Sequence, residues 1–167
     1  MAFPQFLSPL NYKFQLLKIP TFVDYVQNVD FPRVDVGVTD GLPNPFQTIA
    51  VPGEHMEFAD LKVTFKIDSN MQNYTELFDW IQAIGKPDTF TQYANLVNEP
   101  KGSGLGPQVD AQLIILDANL KAFIRFDFID LYPAELSGFT LDYTLEDVEY
   151  ITAEVTFKYR EYQYSRI

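Results

Sequence analysis

The 167-residue chain contains no cysteine. That excludes disulfides, thiolate metal sites and a thiol nucleophile. It has a single histidine, His55, in PGEHMEFAD beside Glu54, Glu57 and Asp60. A metalloprotease-type helix needs two histidines on one face, and here one follows Pro52-Gly53, so it reads as a loop histidine among solvated acids. Serines are few and none lies in a GxSxG elbow. The glycines of EPKGSGLGP are not followed by Gly-Lys-Ser/Thr at the start of a helix, so they make no phosphate-binding loop. No window approaches the ~18 apolar residues of a membrane span. MAFPQFLSPL lacks a basic region followed by an apolar run, so no signal peptide is expected, and a soluble protein made in the cytosol is. Basic residues are also scarce, at 12 against 23 acidic for a net charge of −11. Most of such a surface repels nucleic acid and anionic lipid. Paired carboxylates of the glycosidase kind remain open in principle, but numerous acids are mostly the wet faces of strands. The expectation is a protein without enzymatic activity, cofactor or metal.

What the chain has in abundance is aromatic residues, fifteen Phe and ten Tyr, which pack well on pleated, half-buried surfaces. The organising stretch is Leu61 to Gly85, LKVTFKIDSNMQNYTELFDWIQAIG. Leu61, Val63, Phe65 and Ile67 alternate with polar residues, the pattern of a strand buried on one face. Ser69 and Asn70 offer side-chain acceptors for a helix start. Met71, Tyr74, Leu77, Phe78, Ile81 and Ile84 then recur at helical spacing, predicting a helix packed through Tyr74, Leu77, Phe78 and Ile81. Gly85 and Lys86-Pro87 end it. Trp80 lies beside the stripe and is expected in helix-to-sheet packing or subunit contact. No other stretch reads as a helix of comparable strength. The fold class predicted is mainly β: an antiparallel sandwich or barrel with one amphipathic helix packed on it.

The remaining elements follow in order. Residues 1–10 carry two prolines and read as an arm. Strands are expected at Asn11–Lys18, Phe22–Val29 and Arg33–Val38. Residues 39–60 form a long excursion, densest in proline and glycine from Thr39 to Gly53 (TDGLPNPFQTIAVPG), with one extended piece at Phe46–Val51. Loops of this length in compact domains usually bind something. Residues 88–108 read as a second irregular region. Val109–Ala118 and Ala122–Leu131 flank Asn119-Leu120-Lys121 as a hairpin. Its second strand carries apolar residues on both faces, as though a neighbour covered one of them. Tyr132-Pro133 turns the chain, Phe139–Thr144 is a short strand, and a long strand begins at Ile151. Nothing marks a second domain.

Two stretches carry a resemblance. LKVTFKIDSNMQNYTELFDWI (61–81) is an alternating strand, a turn with Asp-Ser, and a helix reaching Asp-Trp. GFTLDYTLEDVEYITAEVTFKYREY (138–162) is a short strand, an acidic turn and a long final strand. With Tyr132-Pro133 between them, they resemble the tail-tube fold of contractile-tailed bacteriophages, which includes tube proteins, tube-initiating baseplate proteins and tail-completion or terminator rings. The resemblance spans about residues 11–162 and has no catalytic signature to check. It implies hexameric rings closing an inner β-barrel and stacking into a channel for DNA, which passes without sequence-specific binding. Other implied partners are adjacent tube, baseplate or neck rings and the tail sheath, with no membrane. It implies a place in the virion tail, after assembly in the host cytoplasm.

On this resemblance the excursion around Leu42, Pro43, Asn44, Pro45 and Phe46 reaches the adjacent ring. The helix lies on the outer side of the barrel, and the Arg125/Asp127 face points to lumen or solvent. A tube-forming ring subunit is the first reading, with a completion or initiator ring of the same fold beside it. The alternative of another class is a small-molecule-binding β-barrel lined by aromatic residues.

Overall fold

The structure is a computed structural model, which describes residues 7–41, 46, 50–98, 107–144 and 149–167. Its strands are β1 (Tyr12–Leu16), β2 (Val26–Asp30), β3 (Val34–Asp35), β4 (Val38–Asp40), β5 (Ala50–Pro52), β6 (Glu57–Phe58), β7 (Leu61–Lys66), β8 (Val109–Leu116), β9 (Ala122–Leu136), β10 (Thr152–Lys158) and β11 (Glu161–Arg166). Helices α1 (Gln72–Gly85) and α2 (Phe90–Asn98) lie between β7 and β8. The main sheet runs β1-β8-β9-β10-β7-β2, all antiparallel. β11 pairs with β9 in the same register that ends the β10 ladder, Lys158↔Tyr132 passing to Glu161↔Ile129. The C-terminal chain therefore lines one edge of β9 almost end to end, while β8 lines the other.

β9 continues to Leu136, past the Leu131 end expected for this strand and through the expected turn. Tyr132-Pro133 does not turn the chain. Pro133 faces Phe157 where the β10 register slips by one residue, and such a bulge is one of the few places a strand accepts a residue without an N–H. Phe139–Thr144 is not a strand either; it is an exposed connection. The Phe22–Val29 strand starts late, because Pro20–Asp24 winds into a 3₁₀ turn before β2. The predicted hairpin does form. Asp117 Oδ1 accepts from the backbone N–H groups of Asn119 and Lys121, and Leu120 takes the positive φ of 60° that closes the turn.

The core gathers inward-facing residues from opposite parts of the sheet. Phe14 of β1 lies 6.3 Å from Phe157 of β10, and Phe22 4.9 Å from Phe65. α1 enters this core through Asn73, Leu77, Trp80 and Ala83. The face is rotated from the one expected. Phe78, predicted to pack, is 52% exposed, while Trp80 is buried. The rotation follows from the helix start. Neither Ser69 nor Asn70 caps it; Met71 does so with φ 56° and no side-chain hydrogen bond. Asn73 is anchored instead to the end of β7, its Nδ2 donating to the Lys66 carbonyl (2.8 Å) and its Oδ1 accepting from the Asp68 N–H (3.1 Å). Trp80 Nε1 donates to the Pro107 carbonyl (2.9 Å), so the indole is buried without an orphaned donor.

α2 corrects the irregular region expected at 88–108. Its start has a near-reciprocal cap: the Gln92 N–H donates to Thr89 Oγ1 (3.3 Å), and Gln92 Oε1 accepts from the Asp88 N–H (3.0 Å). Only Leu96 of this helix reaches the core.

In place of the long excursion expected at 39–60, the described residues there pair back along the chain from Val34 to Asp40 as a ribbon. The β2–β7 ladder (Asp30↔Lys62) continues in register through β3–β6 (Val34↔Phe58) and, after a slip, through β4–β5 (Val38↔Pro52). The slip lies at Gly37 and Gly53. Gly37 has φ 69°, and the Gly53 N–H donates to its carbonyl (3.2 Å). A Cβ on Gly53 would collide with the Val36 carbonyl. At ~3.3 Å per residue, the ten positions from Asp30 to Asp40 carry the arm roughly 30 Å beyond the main sheet.

Two substitutions separate these contributions. Trp80→Ala is expected to cost about 3–5 kcal/mol in urea unfolding, and Phe78→Ala less than about 1 kcal/mol. Gly53→Ala is expected to raise amide exchange at residues 34–58 while leaving the main-sheet amides protected, because the collision lies outside the core.

Candidate assembly surfaces

The main sheet has a polar outer face with a regular composition. Registers place Gln15, Gln112, Asp127 and Gln163 in one cross-strand row, and Lys13, Ile114, Arg125 and Ser165 in the next. These alternate with the inward Phe14, Leu113, Phe126 and Phe128, since neighbours along a strand point to opposite faces. Arg125 and Asp127, singled out from the sequence, are brought together here: Arg125 Nε donates to Asp127 Oδ2 at 3.0 Å. Both are partly buried in the sheet surface. The pair neutralises itself, so the Asp127 row offers amides and a closed ion pair, with Lys13 exposed in the row beside it.

The sheet ends in open edges. Among the described residues β11 pairs only with β9, and β1 only with β8. The Ser165 hydroxyl on β11 is buried and makes no hydrogen bond. An open strand edge is a ready template for another chain. The edge of β1 is tied to β2 at one point, where the Tyr12 hydroxyl donates to the Gln27 carbonyl (2.6 Å).

The arm leaves from an aromatic footing. Phe31 packs edge-on against Phe126 (4.8 Å) and Tyr162 (5.3 Å), and Phe58 lies 5.3 Å from Tyr162. The Tyr159 hydroxyl donates to the Ala59 carbonyl (2.8 Å). Burial, then the neighbouring Tyr162 and Asp60, push this phenol well above the usual tyrosine range, so it remains a donor at ordinary pH. Beyond the footing the arm leaves apolar side chains uncovered: Val34, Val36, Val38 and Val51 are all exposed, Val38 by 72%. Of the arm-tip residues predicted to make contacts, Phe46 is 95% exposed, and Leu42, Pro43, Asn44 and Pro45 lie outside the described residues. His55 is exposed beside Pro52 and Glu54. No group of three or more His, Asp or Glu able to hold a metal occurs among the described residues.

The helix residues predicted from sequence divide three ways. Leu77 is buried, Tyr74 and Ile81 are half-buried, and Phe78 faces outward. Tyr74 stacks edge-on with Phe139 (5.2 Å), and its hydroxyl donates to the Ser137 carbonyl (3.2 Å). Asn73 and Trp80 hold the helix in place, and the apolar period alone singled out neither. Asn73 had one cue, an amide seven residues after Lys66 at a strand-to-helix junction. Phe78, Phe90 and Tyr93 are left as exposed aromatic residues of the two helices.

No protein-family model matches the chain, and no curated protein matches it by sequence. Solved structures do match, along nearly the whole length. A chain of the anti-feeding prophage cap, described as a tube-terminating cap, superposes with a TM-score of 0.68 at 9% identity, covering 100% of this chain and 95% of that one. A chain of the six-fold symmetrised anti-feeding prophage baseplate gives 0.65 at 10% identity, covering 99% and 97%. A chain of the sheath–tube complex of the PVC extracellular contractile injection system gives 0.60 at 12% identity, covering 96% and 92%. At such identities the likeness concerns fold. The chain thus has the tail-tube fold, shared with chains of caps, baseplates and sheath–tube complexes of contractile injection systems.

Proposed function

We propose that the chain is a non-enzymatic ring subunit of a contractile phage tail, six copies closing a channel for DNA. The observation that carries this reading is whole-length likeness to chains of a six-fold baseplate and a tube cap, joined to a sheet that ends in the open edge of β11. One copy's β11 and the next copy's main sheet would complete each other, removing edges that otherwise aggregate. The two neighbouring rows that hold Asp127 and Arg125 would face the lumen. Their amides and self-neutralised pair suit a wall past which a polyanion moves without being held. The whole chain acts as one tail-tube domain, with the arm at 39–60, tipped by Leu42–Phe46, reaching the adjacent ring. α1, seated through Leu77 and flanked by Tyr74 and Ile81, stays outside the bore. Its outward Phe78 is offered to the sheath. The location is the virion tail, after assembly in the host cytoplasm.

A small-molecule-binding barrel is the less supported alternative, because the interior is filled by Trp80, Phe14, Phe22, Phe65, Phe128 and Phe157, all essentially inaccessible. The solution mass of the purified chain by light scattering, with negative-stain microscopy, tests the choice. Particles of about six chain masses with a central hole are expected. A monodisperse monomer at every concentration, stabilised by an apolar ligand, contradicts the ring and supports the barrel.

A further inference from the structure

The negative charge of this chain is unevenly placed. Positions 30–60 contain Asp30, Asp35, Asp40, Glu54, Glu57 and Asp60 and one cation, Arg33, a net of −5 out of −11 for the whole chain; of these, Asp35 pairs with Arg33 and Asp60 with Lys158. The sheet row proposed as the bore carries little of it. The arm leaves the barrel where β2 ends and β7 begins, at the Asp30↔Lys62 pair. The opposite end of the barrel is where β7 ends, because Thr152 pairs with Lys66 there. That end holds the 3₁₀ turn with Asp24, the β7–α1 turn with Asp68, and the connection from β9 to β10 with Asp142 and Glu149. Residues 137–151 contain no Lys or Arg, and Lys66 reaches over the Tyr150 ring. The field at this end is felt by Tyr25, whose hydroxyl is held above its ordinary range by Asp68, with smaller effects from burial and Asp24.

Stacking identical rings head to tail is a heterologous contact, which repeats without limit if it is favourable. Here it would press an acidic arm against an acidic end, and like charges facing each other suppress a partner strongly. Yet the arm exposes Val34, Val36, Val38 and Val51, apolar surface suited to being covered. We infer that the arm docks on a different chain, whose facing surface is basic, and that rings of this chain do not stack on one another. The protein then acts once, at an end or a junction, where the arm's valines supply contact area and its carboxylates select the partner. This rests on the ring reading above.

The test uses the full chain at about 50 mM and 1 M salt, with light scattering and negative stain. Single rings at low salt are expected, and stacks at 1 M salt, where the screening length falls to about 3 Å. The double variant Glu54→Gln, Glu57→Gln is expected to stack at low salt. These side chains are exposed and outside the core, so the rings should form as before. Long stacks of the unmodified chain at low salt overturn the inference while leaving the ring reading intact. Variant rings that stay single in both salts also overturn it, because repulsion is then not what keeps them apart. A monomer throughout removes the ring reading, and the inference with it.

Discussion

The bend in β9 at Asp130 is the constraint from which the rest of the structure follows. Asp130 has φ 57°, a left-handed conformation costing a non-glycine residue roughly 1–2 kcal/mol. Three contacts hold it. Its N–H donates to Asp110 Oδ1 (3.3 Å), its Oδ2 accepts from Arg160 (2.9 Å), and the Arg160 N–H donates to the adjacent Ile129 carbonyl (3.0 Å). Asp is among the few side chains that tolerate this geometry, being short and able to bond locally. The bend lets a single strand pair with β8 and β11 before it and with β10 after it. One continuous sheet thereby wraps a core that α1 then closes.

The same economy explains the arm. It is the β2–β7 ladder carried past the barrel, so its direction is inherited from the main sheet. Paired glycines absorb the one slip in register. At its foot, Phe31, Phe58 and Tyr162 extend the core outward, and Tyr159 ties the departing chain at Ala59. A projection with a rigid foot can deliver exposed valines to a fixed place, which a loose loop of equal length could not.

Strand periodicity and turn chemistry were legible in the sequence wherever one face is buried. β7 alternates cleanly, and the Asp117–Lys121 turn between β8 and β9 announces itself. The helix was legible as an element but not in its rotation: the apolar stripe pointed to Phe78, while a polar anchor, Asn73, turned Trp80 inward. α2 was hidden by the Gly-Pro-rich flanks, although Thr89-x-x-Gln92 was a usable cap signal. Pro133 misled because a proline in a long strand needs a bulge on its partner, which only the partner's register reveals. The arm was illegible as a ribbon because its pairing depends on β2 and β7, more than twenty residues apart in the chain. Of the candidate site, the Arg125/Asp127 pair lay one alternation from the core and could be seen in advance. The row of glutamines beside it could not, since it draws on β1, β8 and β11 together.

In the proposed ring these open edges close around a bore lined by the Gln15–Gln112–Asp127–Gln163 row. A cryo-electron microscopy reconstruction of the assembled particle, at a resolution that traces strands, tests it most directly. Six copies joined through β11 are expected, with Arg125 and Asp127 on the channel wall, α1 outside, and every arm leaving from the same end. A particle whose channel is lined by α1, or whose subunits meet without any contact at β11, would contradict it.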